Sequence, residues 1–162
     1  MSSLESYNRR VKAIQWELYK AAYGSARRIP SQLILLRSPN QKKAIDAAGE
    51  LWASLCHQQA FISSAALPAL PFLAENLEHA CETLAAEILD IFYGFALCSE
   101  PHAYTQAATL GYRKLMLSQA QMNEFRKLLK VHLPQLKQMG SSSNSELADL
   151  ANDTISVLTR NS

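Results

Sequence analysis

Glycine and proline are scarce in this chain, 5 and 6 among 162 residues. That is too few for the many tight turns of a β-sandwich or barrel. No run of 18 or more apolar residues occurs, so no stretch is suited to span a membrane as a helix. Charges interrupt the apolar pattern between Met1 and Lys20, unlike a secretory signal. Cysteine is rare and odd in number: Cys56, Cys81 and Cys98, at spacings of 25 and 17 that match no metal knuckle. All three sit among helix-type apolar residues. They read as small buried hydrophobes in a reducing compartment, which predicts a cytoplasmic protein. Also missing are a Gly-rich phosphate loop, H-E-x-x-H, G-x-S-x-G and C-x-x-C. The four histidines, His57, His79, His102 and His132, are isolated along the chain. Glu50 and His57 share a helix face but lie two turns apart, about 10 Å, too far to hold one metal. The expectation is a non-enzymatic protein with no catalytic residues, no metal and no cofactor.

What is present is helical periodicity. Hydrophobic residues make up 48% and charged residues 19%, an ordinary globular composition. Leu4, Tyr7, Val11, Ile14 and Leu18 recur at spacings of 3 and 4, placing them on one helix stripe. Ser3 is the expected cap and Gly24 the expected stop. A short apolar piece, Ser31 to Arg37, is bracketed by Pro30 and Ser38-Pro39. Its Ile34-Leu35-Leu36 core would suit a strand, but nothing else would pair with it. Asn40 caps a long helix striped by Ala44, Ala48, Leu51 and Leu55, with Trp52 beside them. His57 reads as its end, where an imidazole suits the dipole, and His57-Gln58 as the tie at the corner. Pro68 fits a first turn, and Pro71 must share that turn or bend the helix. The next helix is expected from Glu78 to Cys98, with Cys81, Leu84, Ala85, Ile88, Leu89, Phe92 and Phe95 on a wide apolar face. Helices over 102–118 and 121–138 follow, the second kinked near Pro134. Ser143 with Glu146 forms a capping box for the last helix.

Shifting the chain by 37 places Leu33 on Leu70, Leu36 on Leu73, Ala44 on Cys81 and Ala48 on Ala85. It also places Leu51 on Ile88, Trp52 on Leu89 and Leu55 on Phe92. Each copy reads as a short helix, a corner and a long helix. Helix pairs recurring near 40 residues are the mark of a HEAT or armadillo solenoid. The predicted fold is all-α: one domain over 1–162, a short right-handed α-solenoid of about seven or eight helices. Residues 1–30 carry its N-terminal helix, 31–138 its helix hairpins and 143–160 its C-terminal helix.

The stretch Leu51-Trp52-Ala53-Ser54-Leu55-Cys56-His57-Gln58, followed by Ala66-Leu67-Pro68-Ala69-Leu70-Pro71-Phe72-Leu73, resembles a recurring pattern in bacterial HEAT-like proteins. Several such proteins resemble immunity partners of polymorphic or contact-dependent growth-inhibition toxins. The likeness covers residues 44–75. It departs just after Gln58, where the family often carries a glycine and an aromatic and this chain has Gln59-Ala60-Phe61. The resemblance implies a helical-repeat fold and a role in binding a cognate toxin.

The net charge of +2 hides strong segregation. Residues 1–43 hold nine Lys and Arg against two acids; residues 44–100 hold eight acids and no Lys or Arg. Asp46 and Glu50 share one side of their helix. Glu82, Glu87 and Asp90 fall within an arc of about 140° on the next. Side by side in a solenoid, these helices would present one continuous negative surface. Asp46, Glu50, Glu78, Glu82, Glu87 and Asp90 are therefore the candidate partner-binding residues, with Tyr93 adding a polar-tipped ring. Such a surface speeds the encounter with a basic partner. Toxins that cut nucleic acid are commonly basic because they must hold phosphate. The expected partner is accordingly a basic, nuclease-type toxin domain. The competing expectation is a nucleic-acid-associated adaptor using the basic N-terminal region, although its basic residues are not interleaved with exposed aromatics in the sequence.

Overall fold

In the computed structural model, which describes residues 1–160, the chain is all-α apart from one two-residue β-hairpin. Nine helices occur among the described residues: α1 Ser3–Ala13, α2 Ile29–Leu35, α3 Gln41–Cys56, α4 Ala66–His79 and α5 Glu82–Cys98, then α6 Pro101–Thr109, α7 Gln119–Val131, α8 Leu133–Met139 and α9 Ser145–Thr159. The hairpin pairs β1 Lys20–Ala21 with β2 Gly24–Ser25.

The long middle helices follow their sequence pattern closely. Asn40 caps α3 by accepting from the Lys43 N–H at 3.1 Å, and Ala44, Ala48, Leu51 and Leu55 are all buried. His57 ends α3 in a left-handed conformation, φ 41°. The side chain of Gln58, expected to help tie this corner, lies outside the described residues. Pro68 falls in the first turn of α4, and Pro71 is accommodated inside the helix. Ile34-Leu35-Leu36 is helical rather than a strand, belonging to α2 and its C-cap.

Several boundaries move, each for a local reason. Ser2, not Ser3, caps α1, in a reciprocal capping box with Glu5. That helix stops at Ala13 instead of continuing toward Gly24. Trp16 folds back beneath it and donates its indole N–H to the Val11 carbonyl at 2.9 Å, taking the place of a further helical turn. Leu18 is consequently 70% exposed rather than on a buried stripe. Glu78 belongs to α4, not α5. Chain direction changes at Ala80 and Cys81, so Cys81 is an exposed cap residue and no part of the apolar face. The helix expected over 102–118 ends at Thr109, with Gly111 at φ 94° turning the chain. In place of a kink at Pro134, a break at His132 separates α7 from α8, and Pro134 occupies the first turn of α8. Asn144 rather than Ser143 caps α9, accepting from the Leu147 N–H at 3.2 Å.

The core centres on α5, whose Ile88, Leu89, Ile91, Phe92 and Phe95 are fully buried. It packs most extensively between α9 and α3; α2 lies on α3, and α8 on α9. Gln41 at the start of α3 donates to the Cys81 Sγ at the start of α5, 3.6 Å. At their other ends, Cys56 lies against Gly94. These two helices therefore run parallel. Asn144 donates to Glu82 at 2.9 Å, joining the starts of α9 and α5. Arg126 donates to the carbonyls of Ala96 at 3.0 Å and Val157 at 2.6 Å, joining their far ends. So α3, α5 and α9 form a parallel row with α5 in the middle.

Candidate functional site

The eight acids of residues 44–100 separate into three groups. Glu75 and Glu100 are structural. Glu75 accepts two hydrogen bonds from Arg10, at 2.9 and 2.8 Å, and one from Arg37 at 3.2 Å. The Arg10 hydrogen bonds hold its carboxyl below the usual range, with both cations assisting. Glu100 is buried and pairs with Arg160 at 3.2 and 3.0 Å.

The second group is exposed, and all but Glu78 of its members are engaged. Asp46 pairs with Lys42 one turn earlier at 2.7 Å, and Glu50 with Arg28 at 3.1 Å. Pairs this exposed contribute little to stability, yet they cancel local charge. Glu82 accepts from Asn144. Glu78 lies at the end of α4 beside Pro134, Gln135 and Gln138, away from the parallel row. Its charge partly offsets the burial that lowers the His132 pKa. The continuous negative surface expected across α3 and α5 is therefore not formed by all six candidate acids. The basic residues that neutralise its α3 part lie within four residues of it or come from the N-terminal segment.

The third group is Glu87 and Asp90, one turn apart on α5. Neither has an ion pair or hydrogen bond among the described residues. Burial raises the pKa of both, and the Glu87 carboxyl is raised further by the like charges of Asp90 and Glu146. Glu146, in the first turn of α9, brings a third carboxylate to the same place. It was outside the sequence-based surface, which stopped at residue 100. The available signal was the spacing of Glu146, Asp149 and Asp153, which puts three acids on one stripe of α9. Tyr93, one turn beyond Asp90, is half-buried against the core, and its hydroxyl has no hydrogen-bond partner among the described residues. Thus Glu87 has Asp90 and Glu146 of α9 as like-charged neighbours, while Asp90 also reaches Cys56 at the end of α3.

Other chemistry-bearing groups are occupied or dispersed. Cys56 and Cys98 are buried, and burial pushes the Cys98 thiol up to about 12. A cleft of about 340 Å³ between the α2–α3 and α4–α5 corners is lined by Arg37, Gln41, Asn76, His79 and Cys81. Arg37 and Asn76 are already hydrogen-bonded to each other there, at 2.8 Å. No group of three His, Cys, Asp or Glu able to hold a metal occurs among the described residues. No described helix is long and apolar enough to cross a membrane. Comparison with protein-family models, curated proteins and solved structures finds no match to this chain.

Proposed function

We propose that this chain is a non-catalytic, cytoplasmic binding protein, the immunity partner of a basic, nuclease-type toxin, and that the toxin docks on the face shared by α5 and α9. The observation that carries this reading is that Glu87 and Asp90, one turn apart on α5, have no ion pair or hydrogen bond among the described residues, and that Glu87 feels the like charges of Asp90 and Glu146. A folded protein with this many basic residues has counter-charges at hand, and five of its other acids are paired with them. The like charges acting on Glu87 cost stability, and a cationic visitor would remove that cost on binding. Occupying the toxin's phosphate-binding cations would also deny them to nucleic acid.

The architecture is read as a short α-solenoid of HEAT-like hairpins. Support comes from the pairing of α2 with α3, α4 with α5 and α8 with α9, and from the parallel row of second helices. The 37-residue shift also matches the buried Ala48, Leu51 and Leu55 of α3 to the buried Ala85, Ile88 and Phe92 of α5, while Ala44 falls on the exposed Cys81.

Co-expression with the C-terminal domain encoded by the adjacent gene tests the function. That domain should arrest growth alone and be tolerated beside this chain. The double reversal Glu87→Lys with Asp90→Lys should abolish protection while leaving the helical circular-dichroism spectrum unchanged. Undiminished protection would remove the acidic face from the mechanism, and a harmless neighbour would remove the immunity reading.

A further inference from the structure

At the other end of α3 the charge is reversed. The hairpin turn presents Tyr23, 67% exposed, and its ring meets the His57 ring edge-on at 5.4 Å. The left-handed backbone at His57 also sets that ring 5.6 Å from Tyr112, which stacks on Phe61 at 4.5 Å. Backbone hydrogen bonds hold the two tyrosine-bearing segments together. The Lys20 backbone N–H donates to the Ser64 Oγ at 2.8 Å, and the Ser64 backbone N–H donates to the Leu115 carbonyl at 3.0 Å.

Cations lie on the segments that carry these rings. Lys20, Arg27, Arg113 and Lys114 are exposed and have no ion pair among the described residues. Arg28 gives one guanidinium nitrogen to Glu50 in an exposed pair. Acids also lie near: the paired Glu50, Glu17 on the turn preceding the hairpin, and Asp90, whose charge reaches Cys56 beside His57. Beneath Tyr23 opens a pocket of about 230 Å³ lined by Tyr23, Ser25, Arg27, Arg28 and Ser54. Two guanidinium groups and two hydroxyls offer the donors that a phosphodiester accepts, and guanidinium matches its geometry. An exposed ring at the mouth offers a face on which an unpaired base stacks.

We propose that this cationic, tyrosine-bearing end binds single-stranded nucleic acid, with a phosphate held by Arg27 and Arg28 and a base on Tyr23. An acidic protein segment would satisfy the charges but leave the ring faces unused, and a duplex keeps its bases stacked inside. The surface is built on the β1–β2 hairpin and the end of α3, with Asp90 of α5 near its edge, and its proposal does not depend on the immunity reading.

Fluorescence anisotropy on the full chain with a labelled oligothymidylate of about ten nucleotides tests it. Binding is expected at about 20 mM salt, with log affinity falling by about 0.7 per log unit of salt for each neutralised phosphate. Tyr23→Ala, at an exposed turn, should weaken binding about tenfold without changing that slope. Arg27→Ser with Lys114→Ser should make the slope shallower by about 1.4. Glu87→Lys with Asp90→Lys should leave the Tyr23 dependence intact, which separates this result from the fate of the acidic face. No binding at low salt, or indifference to Tyr23→Ala in a protein whose circular dichroism is unchanged, would overturn the proposal. So would displacement by polyglutamate of matched length as efficiently as by unlabelled oligonucleotide, which would assign the surface to acidic protein.

Discussion

Tyr7 shows how much a single residue organises. Its ring is fully buried, its hydroxyl donates to the Leu33 carbonyl at 2.8 Å, and it accepts from the Asn76 amide at 2.7 Å. The Arg37 guanidinium lies 4.4 Å from the ring centre, while its Nε donates to Asn76. One phenol thus ties α1 to α2 and α4. Tyr7→Phe would leave a buried carbonyl and an amide hydrogen unpartnered, a cost of about 2 kcal/mol. Thermal unfolding should show Tm lower by about 4–8 °C. Burial also pushes the Tyr7 hydroxyl up from 10.0 to about 12. Its folded-state pKa is raised, so the stability it contributes is complete below pH 10.0 and is lost as the pH climbs to about 12. Alkaline unfolding should therefore set in within that window and move to higher pH in Tyr7→Phe once the lower stability is subtracted. Glu75 has the opposite sign: Arg10 lowers its pKa, so its contribution is present above the ordinary carboxylate range and lost as pH falls through its folded value.

At the scale of elements, α3 and α5 approach closely where Gly94 meets Cys56. A Cβ on Gly94 would sit 2.8 Å from the Cys56 Sγ. Gly94→Ala should therefore cost about 1–3 kcal/mol through overpacking, despite the better helix propensity of alanine. In a Cys56→Ala background the sulfur is gone, and the same substitution should raise Tm by about 2–4 °C. Additive effects in thermal melts of the two single variants and the double would show that the helices do not touch there. This contact explains what could be read in advance. Asn40, the stripe from Ala44 to Leu55 and the end at His57 are written in local spacing and capping chemistry, so α3 was legible residue by residue. The ends of α1, α4 and α9 were not. Trp16 stops α1 through a side-chain bond to Val11, Cys81 caps a helix without a capping side chain, and Asn144 competes with Ser143 one position away. Short-range pattern does not distinguish such near-equivalent choices.

For the whole molecule, the decisive events join residues far apart in the chain. Arg10 and Arg37 reach Glu75, Arg160 reaches Glu100, and Glu146 joins Glu87 and Asp90. Charge counts along the sequence correctly found acids and bases segregated, but only the folding of α9 onto α5 decides which carboxylates stay unpaired. The basic N-terminal region was visible in the same counts, but not that Tyr112, Arg113 and Lys114 are tied to Tyr23 and Lys20 through Ser64. The cation-free state of the acidic face is tested most directly by a carbon-detected NMR titration of the Glu87 and Asp90 carboxyls. Both should titrate above the ordinary values of 4.5 and 3.8, with Glu87 moving back toward 4.5 as salt at about 1 M screens its neighbours. Titration at or below those values, unmoved by salt, would mean that cations already sit beside them and that the face has nothing to offer a basic partner.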